Sequence, residues 1–191
     1  MKKLLIATAL FAASSLQNAF AFPIADTGDG LKVIVGETGS VVATYLGNSA
    51  DYSNDLYLML DDFGNPGDDG DLSNDMFIFN NHTSPVNSTV DLGIFNAGAE
   101  LIFRLFVNDT GFNYFTGPED RNPDNRFHAR VEQDWQPDET LVSFEDLYGG
   151  PFDFNDLSFA FTNTRTEVPA PATLALVGLG LLGFAGARRR K

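Results

Sequence analysis

From Leu31 to Thr162 the apolar residues recur mostly at every second position, in short runs bounded by Gly, Asn, Asp and Pro. Period two puts alternate side chains on opposite faces of an extended strand, whereas an amphipathic helix needs apolar residues three and four apart. No stretch between the two ends of the chain sustains that helical spacing. The runs predict strands near 31–35, 40–46, 56–60, 76–79, 89–92, 100–107, 127–132, 140–144 and 157–162. The last is the plainest: Leu157, Phe159 and Phe161 share one face, and Ser158, Ala160 and Thr162 share the other. Residues 101–107 are apolar on both faces apart from Arg104, as befits a central strand covered on both sides. Short strands joined by turn residues predict an all-β fold, an antiparallel β-sandwich of jelly-roll-like build, with a barrel as the alternative.

The two ends are written differently. Lys2 and Lys3 precede an apolar stretch from Leu4 to Ala13, and Ala19-Phe20-Ala21 follows. A charged start, a short apolar middle and a small-x-small end make residues 1–21 a secretory signal peptide, with Ala19 and Ala21 setting cleavage after Ala21. At the other end, Val168-Pro169-Ala170-Pro171 leads into an apolar run from Ala172 to Ala187, broken only by Thr173, and then Arg188, Arg189, Arg190 and Lys191. At about 1.5 Å per helical residue this run reaches roughly 24 Å, a little short of the ~30 Å hydrocarbon core. A short transmembrane helix with its basic end in the cytoplasm is expected over residues 168–191. The residues alone leave a permanent tail anchor and a processed signal equally open.

Between the ends, residues 22–167 have the length of one domain. They carry all 26 acidic residues and six basic ones, a formal charge of −20. That balance argues against nucleic acid or anionic lipid as partner and makes divalent cations the natural counter-ions. Cys is absent, so an exported chain of this kind must be held by its core, by ions, or by both. Most of the 18 Phe residues lie in this segment and supply apolar area for a core.

Two acidic loops have the composition of a Ca²⁺ site, since Ca²⁺ takes six to eight hard oxygen ligands on a flexible turn. In the first, residues 61–71, Asp61, Asp68, Asp69 and Asp71 are candidate ligands. The loop is no EF-hand: with Gly70 sixth, the first, third and fifth positions are Asn65, Gly67 and Asp69. A solvated hairpin tip explains the same residues equally well. In the second, residues 144–156, Glu145, Asp146, Asp153, Asn155 and Asp156 flank Gly149-Gly150-Pro151, a turn that brings both flanks toward one ion. Capping of the turn by backbone hydrogen bonds is the alternative there. A third acidic stretch, 118–126, mixes charges and reads as a solvated loop, with Asp124 and Asn125 as weak candidates.

His82 and His128 are the only imidazoles, and neither stands in a nucleophile or zinc spacing. His82 reads as a turn residue and His128 as a strand residue facing solvent or capped by an Asp. No catalytic residue is assigned; a hydrolase using two carboxylates has no positive support. Trp135, Tyr114, Tyr148 and Phe112 are candidates for an aromatic platform for sugars, although core or rim packing is the commoner fate of such residues.

Two resemblances add to this. The order Pro169-x-Pro171, Gly/Leu-rich apolar run and Arg188-Arg189-Arg190 resembles the PEP-CTERM sorting signal, with Ala170 where that family usually has Glu. The resemblance implies recognition and removal by an exosortase-type membrane protease. It also implies an exported protein of the cell surface or matrix, transiently held in the membrane and linked to exopolysaccharide or biofilm. The segment Leu141-Val142-Ser143-Phe144-Glu145-Asp146, then Gly149-Gly150 and Asp153-Phe154-Asn155-Asp156-Leu157, resembles the DUF4114 domain. That likeness implies a β-rich extracellular module, associated with Ca²⁺ and without a catalytic assignment. Together these lead to an expected structural or adhesive module stabilised by Ca²⁺, with a carbohydrate-binding module as the alternative.

Overall fold

Alternation decides the architecture strand by strand. Along β2 (Gly39–Gly47), Val41, Ala43 and Tyr45 are buried while Val42, Thr44 and Leu46 are half-buried. β3 (Asn54–Leu58) alternates in the same way, while β1 (Val33–Val35), β7 (Phe103–Val107), β10 (Glu139–Phe144) and β11 (Leu157–Thr162) are buried along most of their length, as strands covered on both faces are. The remaining strands are β4 (Met76–Asn80), β5 (Thr89–Phe95), β6 (Glu100–Leu101), β8 (Asn113–Phe115), β9 (Ala129–Gln136) and β12 (Thr164–Thr166). The computed structural model describes residues 22–167; the signal peptide with Ala19 and Ala21 and the tail with Pro169, Pro171 and Arg188–Arg190 lie outside them. Among the described residues the fold is all-β, with one 3₁₀ turn at Glu119–Arg121 and no helix long and apolar enough to cross a membrane.

All strand pairs are antiparallel. A five-stranded sheet runs β5-β2-β11-β10-β9, a four-stranded sheet β4-β3-β7-β8, and a small sheet β12-β1-β6. Neighbours distant in sequence, β2 beside β11 and β3 beside β7, are crossovers of the kind that Greek-key sandwiches use. The two larger sheets face each other through aromatic rings. Phe103 of β7 stacks on Phe161 of β11 at 4.0 Å, and Phe159 meets Tyr45, Phe79 and Phe144 within 6.4 Å. Burial of these rings is the main apolar contribution, at roughly 25 cal/mol per Å² removed from water.

Three departures from the sequence reading have local causes. The run 100–107 is two strands, and β8 and β12 are strands of three residues that alternation over so short a span cannot signal. Residues 22–30, which carry no strand pattern, are bound to the sheet. Phe22 lies against Gly47, the Ala25 N–H donates to Ser143 Oγ at 2.9 Å, and the Val131 N–H donates to the Gly28 carbonyl at 3.0 Å. The segment thus crosses the outer face of the five-stranded sheet from β2 to β9 and shields Ser143 and Ser158, which bond to each other at 2.8 Å. Gly28 is required there, because a Cβ would stand 2.0 Å from the Val131 oxygen at a φ of +91°.

Arg104, the odd residue of β7, is buried and bonds Asp75 at 2.7 Å, with its guanidinium 4.1 Å from the Tyr57 ring centroid. That pair ties the long β3–β4 connection to the sheet. Replacing Phe159 with Ala removes a ring that touches both layers and is expected to lower unfolding free energy by about 3–5 kcal/mol, read from the urea midpoint of residues 22–167.

Candidate metal centre

The β10–β11 ladder ends at the pair Phe144↔Leu157, so the next residues on each side, Glu145 and Asp156, emerge opposite one another. Asp146 follows on the same flank. Left-handed backbone at Gly149 and Gly150, with φ of +76° and +82°, turns the connection back, and the Gly150 N–H donates to the Leu147 carbonyl. One carboxylate oxygen each from Glu145, Asp146 and Asp156 fall within 4.8 Å of one another. Glu145 and Asp146 are buried, at 1% and 3% exposure, and Asp156 is half-buried.

Local hydrogen bonds hold the three groups but leave much of their capacity unused. The Asp146 N–H donates to Asp156 Oδ2 at 2.7 Å, and the Leu147 N–H to Glu145 Oε1 at 3.2 Å. Asn54, at the start of β3 in the opposite sheet, donates its Nδ2 to Asp146 Oδ2 at 2.7 Å. Glu145 Oε2 and Asn54 Oδ1 are buried without a hydrogen-bond partner, as is the Tyr114 hydroxyl. Orphaned buried oxygens of this kind are costly unless something else satisfies them.

Charge in the cluster is correspondingly expensive. Burial first, and then the Asp156 charge, push the Glu145 carboxyl up to about 8. Burial also dominates at Asp146, where the Asn54 hydrogen bond works against it and Asp156 adds to it, leaving the carboxyl at about 6. Burial, with the charges of Asp124, Asp146 and Glu145, raises the Tyr114 phenol. The three carboxylates offer up to about six hard oxygens, a donor set of the kind Ca²⁺ takes, and the Asn54 amide adjoins them through Asp146. Neither Cys nor a free imidazole stands among them, so the set does not favour a thiolate- or imidazole-binding transition metal.

The remaining candidates part company. Asp153 Oδ2 accepts from Asn155 Nδ2 at 2.8 Å, while the Asn155 carbonyl and Oδ1 accept from Ser49 Oγ. Both residues border the cluster without joining its convergent oxygens. Asp61, Asp68, Asp69 and Asp71 lie at the far end of β3 in the β3–β4 connection, where each accepts a backbone N–H two residues ahead in its own turn. They hold the turns of that connection and do not gather at one point.

His128 is capped by Asp124, the second of the two expected placements, but it is buried and stands just before β9 rather than in it. Its Nδ1 lies 2.9 Å from the Glu145 carbonyl and its Nε2 3.1 Å from both Asp124 oxygens. Burial alone would raise the Asp124 carboxyl, but hydrogen bonds from His128 and the Gly149 N–H outweigh it and hold the group low. Stretch 118–126 is therefore bound to the β10–β11 connection through Asp124. Asn54 and Tyr114 carry no sequence mark of a site, because nothing local says that the opposite sheet brings them to residues 145–156.

Residues 167–191 match the PEP-CTERM protein-sorting motif. No curated protein and no solved structure matches the chain. The motif makes this an exported protein, held transiently in the membrane by its tail and read by an exosortase-type membrane protease.

Two expectations follow from these features. In metal-free protein Glu145 and Asp146 keep protons in the fold that the unfolded chain releases near their ordinary values of 4.5 and 3.8. Their contribution is full below those values and is lost as pH rises through about 6 and about 8. The melting temperature in chelator should therefore fall between about pH 5 and about pH 8, and Glu145→Gln should flatten that slope. For the tail, intact-mass spectrometry of protein recovered from producing cells should show a chain lacking Arg188–Lys191; an intact tail would mean a permanent anchor.

Proposed function

We propose that residues 22–167 form a non-enzymatic structural or adhesive module of the cell surface or extracellular matrix, stabilised by Ca²⁺. On this reading the module is DUF4114-like and works in an exopolysaccharide or biofilm setting after the tail has delivered it. The observation that carries the proposal is the convergence of Glu145, Asp146 and Asp156, with a buried, unpartnered oxygen on Glu145 and another on Asn54, whose Nδ2 donates to Asp146. Crowded carboxylates repel, and a bound dication converts that repulsion into attraction while satisfying the Glu145 oxygen. Because the carboxylates come from the β10–β11 connection and Asn54 of β3 bonds to one of them, the ion would fasten one end of both sheets together. A folded module of this kind gains strength only once it reaches a compartment that supplies the ion.

Non-enzymatic function is supported by how the polar groups are spent. Both His128 nitrogens are taken by fixed acceptors, and the buried carboxylates lie within 4.8 Å of one another. The alternative of a carbohydrate-binding module draws on a separate feature, the exposed rings of Phe112 and Tyr148.

Melting curves of residues 22–167 test the ion. Saturating Ca²⁺ should raise the melting temperature over chelator by several degrees, as expected for roughly 2–4 kcal/mol of linked binding. The gain should vanish in Asp156→Asn and persist in Asp71→Asn, which lies at the opposite end of β3. Equal melting in Ca²⁺ and chelator would remove the metal from the proposal.

A further inference from the structure

The four aromatic residues that the sequence offers for a sugar platform have separate fates. Tyr114 is wholly buried, and Trp135 lines a different groove with Phe22, Pro23 and Leu46. Phe112 and Tyr148 come together at the surface. Phe112 stands in the β7–β8 hairpin and Tyr148 in the β10–β11 connection, with ring centroids 5.3 Å apart and planes 29° from parallel. They remain 38% and 57% exposed although each is large and apolar. Surface loops that keep aromatic rings paired in water are a mark of recognition rather than of core packing.

The pair is also held in place from behind. Phe112 packs on Tyr114 at 6.2 Å, Tyr114 stacks on His128 at 3.8 Å, and His128 meets the edge of Phe152 at 5.3 Å. Since Tyr148 and Phe152 belong to one connection and Phe112 and Tyr114 to the other sheet, the row fixes the exposed rings relative to each other. Little ordering cost then remains to be met on binding.

Beside Phe112 runs an open groove of about 470 Å³, lined also by Asn113, Phe115, Asp120, Asn122 and Arg121, whose guanidinium is already paired with Glu100 and the Thr116 carbonyl. Asn113 spends its Oδ1 on Arg104, which leaves its Nδ2 hydrogens free among the described residues. Asp120 is exposed and makes no hydrogen bond among them. An aromatic face that takes C–H groups, with an amide donor and a carboxylate acceptor at its edge, is complementary to a sugar ring. Axial hydrogens lie on the ring, and equatorial hydroxyls reach the polar groups. The formal charge of −20 over residues 22–167, with Asp120 in the groove itself, repels acidic polymers.

We propose that Phe112 and Tyr148, with Asn113 and Asp120 in the adjoining groove, bind a neutral saccharide chain. This deepens the adhesive reading given above by naming the chemistry of the partner, and it does not depend on the metal. The rings contribute the apolar face and the two polar residues choose hydroxyls over charged groups.

Affinity electrophoresis of the full chain in mild detergent, in gels carrying a neutral β-glucan, a neutral galactomannan or alginate, tests it. A neutral polymer should retard the protein and alginate should not. Tyr148→Ala and Phe112→Ala should each weaken retardation about tenfold. Trp135→Ala should leave it unchanged. Tyr148 is the more exposed ring, so its variant keeps the test open if Phe112→Ala does not fold. Full retardation by Tyr148→Ala, or none of the wild-type protein on either neutral polymer, overturns the proposal. Binding to a matrix protein instead, lost in the same variants, assigns the face to a protein partner and also overturns it. Running each gel beside a Ca²⁺ melt of the same sample keeps the two readings apart, because loss of glycan retention with an intact Ca²⁺ shift refutes the saccharide alone.

Discussion

Burying like charges together is the constraint on which this molecule turns. Three carboxyls converge at the end of the β10–β11 ladder, two of them almost wholly removed from water. A fold with this feature must keep the groups protonated or neutralise them with something positive. Among the described residues no Lys or Arg bonds to any of the three; Lys32, Arg104, Arg121 and Arg130 form their ion pairs elsewhere, and the His128 ring faces Asp124. A small hard cation is the remaining means of holding them ionised.

The surroundings of the cluster make sense in those terms. Asn54 reaches it from β3, and His128 fixes the backbone of Glu145 on one side and the Asp124 carboxylate on the other. Asp124 in turn takes the Gly149 N–H, so the β10–β11 connection is fastened to the stretch before β9. Rigid placement by neighbouring polar groups is what separates an ion site from a chance crowd of acids. The acids of the β3–β4 connection are held by groups of their own loop instead, the backbone N–H of the next turn and the side chains of Asn65, Ser73 and Asn74.

Period-two patterning made the all-β, antiparallel fold readable, because one face of each strand had to be apolar for either sheet to close. Leu157, Phe159 and Phe161 are buried as that pattern requires, while Ser158 and Ala160 on the other face are buried as well, with residues 22–30 crossing at the Ser143–Ser158 pair. The covering segment was illegible, since its grip is made of backbone hydrogen bonds and glycine contacts rather than of apolar spacing. Clustering of Glu145, Asp146 and Asp156 could be read from their position around a Gly-Gly-Pro turn. Asn54 and Tyr114 could not, since only the packing of one sheet on the other brings them near. Composition alone made the 61–71 acids look equal to the 145–156 acids, and burial is what separates them.

Ion binding and proton release are linked at such a site, because a cation can occupy it only as Glu145 and Asp146 give up their protons. Isothermal titration of Ca²⁺ into the metal-free domain at about pH 6.5, in two buffers of different ionisation enthalpy, measures both quantities at once. The account predicts saturable binding of an ion accompanied by net proton release. Absence of binding heat, or binding that releases no protons, would contradict it.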